Sequence, residues 1–94
     1  QQRLRATRTR RDALDRALVD LAGYYRDVLV RGFGAQVTAT HPDRAREVEA
    51  TARDESRESA LRRLEAVLAC REALETNVKP QIAVEAMVTA LRAG

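Results

Sequence analysis

Asp12-Ala13-Leu14-Asp15-Arg16-Ala17-Leu18-Val19-Asp20-Leu21-Ala22-Gly23-Tyr24-Tyr25-Arg26-Asp27-Val28-Leu29-Val30-Arg31 carries apolar residues at Leu14, Leu18, Leu21, Tyr25 and Val28. These are the i, i+4, i+7, i+11 and i+14 positions of one helical face, and Ala17 and Tyr24 widen it. Arg16, Asp20, Asp27 and Arg31 run along the opposite side, where Asp27 and Arg31 stand i, i+4 with the acid first, the favourable order for a helical ion pair. The stretch predicts an amphipathic helix over 12–31. Upstream, through Leu4, the propensity is good but apolar positions are few and no capping residue stands out. Downstream, Gly32-Phe33-Gly34 ends the helix, because glycine reaches left-handed geometry without a Cβ penalty.

Working outward, Thr40 with Asp43 three residues on resembles a capping box, and Pro42 suits a first helical turn. A short, weak helix over 42–53 offers only Ala45, Val48 and Ala52 as its apolar face. Ser56 can cap a longer helix over 57–76 with Leu61, Leu64, Val67, Leu68 and Leu74, and Pro80 opens a last helix over 80–92. The expected fold is therefore all-α, a small antiparallel bundle of about four helices joined by short connections.

Composition agrees. The 94 residues include seventeen alanines, no Trp and three other aromatics, a set of small and aliphatic side chains suited to helix packing. The length allows one domain at most, too small for a sheet-based enzyme with its own cofactor module. Five of the seventeen basic residues (Arg3, Arg5, Arg8, Arg10, Arg11) lie in the first twelve positions against Asp12 alone, leaving twelve basic and thirteen acidic residues beyond them. The body is close to neutral, and the basic character belongs to one edge. A single Cys70 and a single His41 preclude an internal disulfide and a structural zinc set. No uncharged run approaches the roughly 20 residues of a membrane span, and the start lacks an apolar signal core, so a reducing cytoplasmic setting is expected.

No glycine-rich loop ending in Lys-Ser or Lys-Thr is present, so the nucleotide-phosphate cradle is missing. His41 reads as a solvent-exposed residue of a polar loop, the carboxylates as parts of solvated helix faces, and Cys70 as a small, partly buried hydrophobe. No catalytic, cofactor-binding or metal-ligating residue is assigned. The N-terminal arginines could hold phosphates, but no aromatic interleaves them to stack on bases, and a solvated linker or helix start is the preferred reading.

Two features point to interaction. Arg71 rises from the middle of the Leu64, Val67, Leu68, Leu74 face, so it either pairs with Glu85 across the reversal at Asn77 to Pro80 or extends past the rim. In the last helix, Gln81, Glu85, Thr89 and Arg92 occupy a narrow stripe, while Ile82, Ala83, Val84, Ala86, Met87, Val88, Ala90 and Leu91 cover the rest. Such a helix is either central in its own domain or shared with a neighbouring chain. Ile82, Ala86, Ala90 and Met87 are the candidate interface residues, although periodicity leaves open which set faces inward.

The segment Leu74-Glu75-Thr76-Asn77-Val78-Lys79-Pro80-Gln81-Ile82-Ala83-Val84-Glu85-Ala86-Met87 resembles the C-terminal signature of bacterial clamp-loader subunits. That signature is a leucine, an Asn-x-Asn-Pro turn and a Leu-x-Leu-Glu-x-Leu helix, from which Lys79 departs at the second asparagine. Tyr25-Arg26-Asp27-Val28-Leu29 is similar to the aromatic-Arg-Asp-Leu-Leu segment earlier in the same domain. Within that family the sequence looks like the collar of the DNA polymerase III delta prime subunit. The resemblance implies one collar domain over 1–94, with 1–11 an Arg-rich helix extension or linker from a missing N-terminal AAA+ module. It implies partners in the gamma/tau and delta subunits, reaching the sliding clamp and primed DNA only through the whole complex, with no membrane and no small-molecule substrate. Arg71, Asn77, Pro80, Glu85, Tyr25 and Asp27 then become structural residues. Two other classes compete: a helical adaptor that homodimerises along the Leu14, Leu18, Leu21, Tyr25, Val28 seam, and a small nucleic-acid-binding domain using the N-terminal arginines.

Overall fold

Four α-helices build the domain in a computed structural model that describes residues 2–35 and 37–94, with side chains from residue 5 onward. The side chain of Arg3 therefore lies outside the described residues. The helices are α1 (Gln2–Gly32), α2 (Ala45–Asp54, preceded by a 3-10 turn at Pro42–Arg44), α3 (Arg57–Leu74) and α4 (Pro80–Ala93). No strand occurs among the described residues. The all-α bundle expected from periodicity is the observed fold, with α1 longer at its start and α3 shorter at its end than the spacing predicted.

The helix ends follow from local chemistry. At the end of α1, Ala35 N–H reaches Val30 O at 3.2 Å and Gly34 N–H reaches Arg31 O at 2.9 Å. This is a Schellman closure, and it places Gly34 at φ +71°, where only glycine is unstrained. Ser56 caps α3 as expected, its Oγ accepting from Ser59 N–H at 3.0 Å. The expected Thr40–Asp43 capping box does not form. The Thr40 N–H that Asp43 would have to accept is committed to Asp27, and His41, the residue before the 3-10 turn, provides no side-chain cap.

α1 and α3 run antiparallel, since Arg71 meets Asp15 near one end while Val28 packs with Ala60 near the other. α4 returns antiparallel along α3, with Ala83 packed beside Cys70 and Arg63 Nε donating to Leu91 O at 3.1 Å. Leu18, Val67, Cys70, Ala83 and Met87 form the larger core, with Leu14, Leu21, Tyr25, Val84, Val88 and Leu91 around it. Val28, Val48 and Ala60 form a second core under α2, flanked by Tyr24, Leu29 and Ala52. Tyr24 adds a 2.7 Å hydroxyl contact to Thr51 Oγ1. The seam invoked for a homodimer is spent here: Leu18 and Val28 are each 2% exposed and face their own domain.

Candidate subunit interface

Periodicity left two faces of α4 to choose between, and packing against α1 and α3 selects one. Ala83 and Met87, one turn apart, are buried, and Val84, Val88 and Leu91 pack beside them. Met87, expected on the outer face, is thus a core residue, because it shares the Ala83 stripe that meets Leu18 and Val67, and it reaches the outer groove only as part of its lining. Ile82 (56% exposed), Ala86 and Ala90 point outward. Across from them α3 presents Ala66, Ala69 and Ala73, and together they line an apolar groove of about 320 Å³ with Met87 in its floor. The small alanines leave room for a neighbour's side chains, and the walls offer methyl groups and little polarity. What such a groove can do is remove a partner's apolar atoms from water, about 25 cal/mol for each Å² covered.

The reversal between α3 and α4 is held locally. Thr76 Oγ1 donates to Ala73 O at 2.7 Å, Asn77 is exposed, and Pro80 sits in the first turn of α4. Lys79 is the residue before that turn and makes no side-chain cap. An ammonium cannot accept from the free N–H groups of a helix start, so the departure from asparagine leaves them without a side-chain acceptor at this position.

Arg71 does not pair with Glu85. Its guanidinium makes a two-pronged contact with Asp15 on α1, Nε to Oδ1 at 2.9 Å and Nη2 to Oδ2 at 3.3 Å. Arg71 lies on the flank of α3 that meets α1, whereas α4 runs along a different flank, so the tight reversal cannot bring the two together. Glu85 is exposed and accepts instead from Gln81 Nε2 at 3.1 Å. The Arg71 hydrogen bond holds the Asp15 carboxyl below the usual carboxylate range. Asp15 was not singled out by the sequence, where its i, i+4 neighbours Arg11 and Val19 give no sign of a partner on α3.

Asp27 also departs from expectation. It is 4% exposed and does not pair with Arg31, which reaches Glu49 at 3.1 Å. Its Oδ1 accepts the Thr40 N–H and its Oδ2 the His41 N–H, each at 2.8 Å. Arg26 donates to the same carboxylate at 3.0 Å and to Thr38 O at 2.8 Å. His41 Nε2 lies 2.9 Å from Asp20 O, so this histidine is docked against α1 and is not a free loop residue. Gly23 makes the approach possible, since a Cβ there would stand 2.7 Å from Thr40 Cγ2. Burial pushes the Asp27 carboxyl up, but the hydrogen bonds from Thr40, His41 and Arg26 outweigh it and leave the group below its ordinary value. The Tyr25-Arg26-Asp27 segment is therefore a clamp: Tyr25 packs against the larger core while Arg26 and Asp27 tie down the connection to α2. Thr40, His41 and Gly23 were missed as parts of it, and only the aromatic-Arg-Asp motif hinted that this acid has a fixed task.

Cys70 is 4% exposed and burial pushes its thiol up, the state of an unreactive core residue. Among the described residues no group of three His, Cys, Asp or Glu side chains is placed to hold a metal. No described helix is long and apolar enough to cross a membrane.

No curated protein and no solved structure matches the chain. Residues 9–92 match the family model described as DNA polymerase III, delta subunit, C terminal. That span covers all of α2 and α3, most of α1 and α4, the Tyr25-Arg26-Asp27 clamp and the outward face at Ile82, Ala86 and Ala90. The chain thus belongs to the C-terminal domain family of the DNA polymerase III delta subunit, a component of the clamp loader.

Proposed function

We propose that this domain is a collar module, joining its subunit to neighbouring subunits of the cytoplasmic complex that places the sliding clamp on primed DNA. The observation that carries the reading is the open groove between α3 and α4, with Ile82, Ala86 and Ala90 turned away from a core that α1 and α3 already fill. A helix that fills its own core and still presents apolar residues outward is built to be covered. In this reading the domain performs no chemistry itself, and Arg71, Pro80, Tyr25 and Asp27 serve the scaffold.

The finer assignment is to the delta prime subunit, with gamma/tau and delta as the subunits met. It is supported by the likeness of Tyr25–Leu29 and Leu74–Met87 to the collar motifs, whereas the matched family description names the delta subunit. Ile82→Asp in the full-length subunit tests the interface, because a carboxylate desolvated without a partner is strongly unfavourable. The variant should keep its melting temperature and lose co-purification with gamma/tau or delta. Intact assembly with a folded variant overturns the proposed face, and assembly with gamma/tau but never with delta argues against the delta prime assignment.

A further inference from the structure

α1 carries a charged segment that the assembly reading does not use. Arg5, Arg8, Arg10 and Arg11 are all exposed, and α1 buries nothing at residues 5–13. Arg5, Arg8, Arg10 and Arg11 make no ion pair among the described residues, whereas four arginines of the body, Arg26, Arg31, Arg63 and Arg71, each have a carboxylate partner, and the body's other exposed arginines are spread among acidic residues. Arg5, Arg8 and Arg11 follow one another at i, i+3 and i+6 along one side of the helix, with Arg10 across the axis. Like charges at that spacing repel and cost helix stability. A polyanion laid along the segment would turn the repulsion into attraction. Positions beyond Asp12 carry a net charge of −1, so the attraction is confined to this arm.

We propose that the guanidinium groups of Arg5, Arg8, Arg10 and Arg11 bind the phosphate backbone of nucleic acid without reading its sequence. The ligand is held by side chains distributed over about two turns, not by the backbone of a helix end. Arg5 to Arg11 span about 9 Å at a rise of 1.5 Å per residue, and over that length a duplex presents about five phosphates. No aromatic occurs before Tyr24, so the arm has no platform on which to stack bases and its contacts are to phosphate alone. The inference is independent of the α3–α4 groove, which lies on other helices.

The test is fluorescence anisotropy of a labelled 20-base-pair duplex titrated with the full chain between 25 and 200 mM NaCl. Three phosphates neutralised along the Arg5, Arg8 and Arg11 side give a slope of log K against log salt of about −2.7, and Arg10, whose long side chain must reach round the axis, brings it to about −3.6 at most. Replacing the four arginines with glutamine should remove about that much of the slope and weaken binding at least tenfold at 50 mM salt, with helix content and melting unchanged. If the fourfold variant fails to fold, Arg5→Gln and Arg8→Gln singly should each lower the slope by about 0.9. The matched control is Arg44→Gln, Arg46→Gln and Arg53→Gln, exposed residues on or beside α2, which should leave the slope unchanged. A wild-type slope shallower than −1, or a control that weakens binding as much as the arm variant, overturns the proposal. So does competition by polyglutamate equal to that of duplex at the same charge, which would assign the arm to an acidic protein surface.

Discussion

Replacing Asp27 with asparagine keeps the shape of the side chain and removes the charge, which makes it the sharpest probe of the clamp on α1. The carboxylate accepts two backbone N–H groups at 2.8 Å, one on each oxygen, in a site that is 4% exposed. An amide can satisfy one of them through its oxygen but turns its own NH2 toward the other. One hydrogen bond to a charged acceptor is lost, about 1.5–3 kcal/mol, and the donor left behind is poorly hydrated. For a domain of this size each kcal/mol moves the melting temperature by about 4–8 °C, so Asp27→Asn should melt at least 6 °C lower. Asp27→Ala, which leaves both donors unpaired, should lose about twice as much, a large share of the roughly 5–15 kcal/mol a small domain possesses. The pH dependence supplies a second reading. The folded carboxyl titrates below its unfolded value, so between the two the unfolded chain binds more protons, and stability rises with pH. The contribution is complete above the ordinary aspartate range near 3.9 and is lost as pH falls through the lower folded value. Asp15 contributes in the same direction, so the difference between wild type and Asp27→Asn, followed by urea denaturation from pH 7 to 3, isolates the clamp. A variant that melts within about 3 °C of wild type at pH 7, with an unchanged pH profile, would refute the account of Asp27 as an anchor.

Three further outcomes follow from the geometry. Lys79→Asn restores an acceptor before the first turn of α4 and should stabilise the domain by about 0.5–2 kcal/mol in urea denaturation, whereas no gain would mean that the N–H groups of that turn are already satisfied. Gly23→Ala should lower the melting temperature although alanine favours helix by about 1 kcal/mol, because the new Cβ meets Thr40 Cγ2 at 2.7 Å in a loop held by Asp27; a rise would show that the loop yields freely. Met87→Asp should unfold the domain by circular dichroism, since the side chain is buried among Leu18, Val67 and Cys70, and a folded variant would return Met87 to the outward face.

The helices of this domain were legible in the residues because helix formation is a local matter. The Leu14 to Val28 stripe, the Gly32-Phe33-Gly34 stop, the Ser56 cap and Pro80 each act through neighbours within about one turn, and each sits where the spacing put it. Faces were legible only in part. Periodicity showed that Ile82 and Ala86 lie opposite Val84, Val88 and Leu91, but it took α1 and α3, already packed together, to decide that Ala83 and Met87 turn inward and Ile82 outward. Polar partners were the least legible. Arg71 meets Asp15, 56 positions away, and Asp27 meets backbone N–H groups of a loop 13 and 14 positions on. A charged side chain is fixed by whichever backbone or carboxylate the packing brings within 3 Å, and sequence spacing along one helix carries no record of the flank on which another helix or loop will arrive.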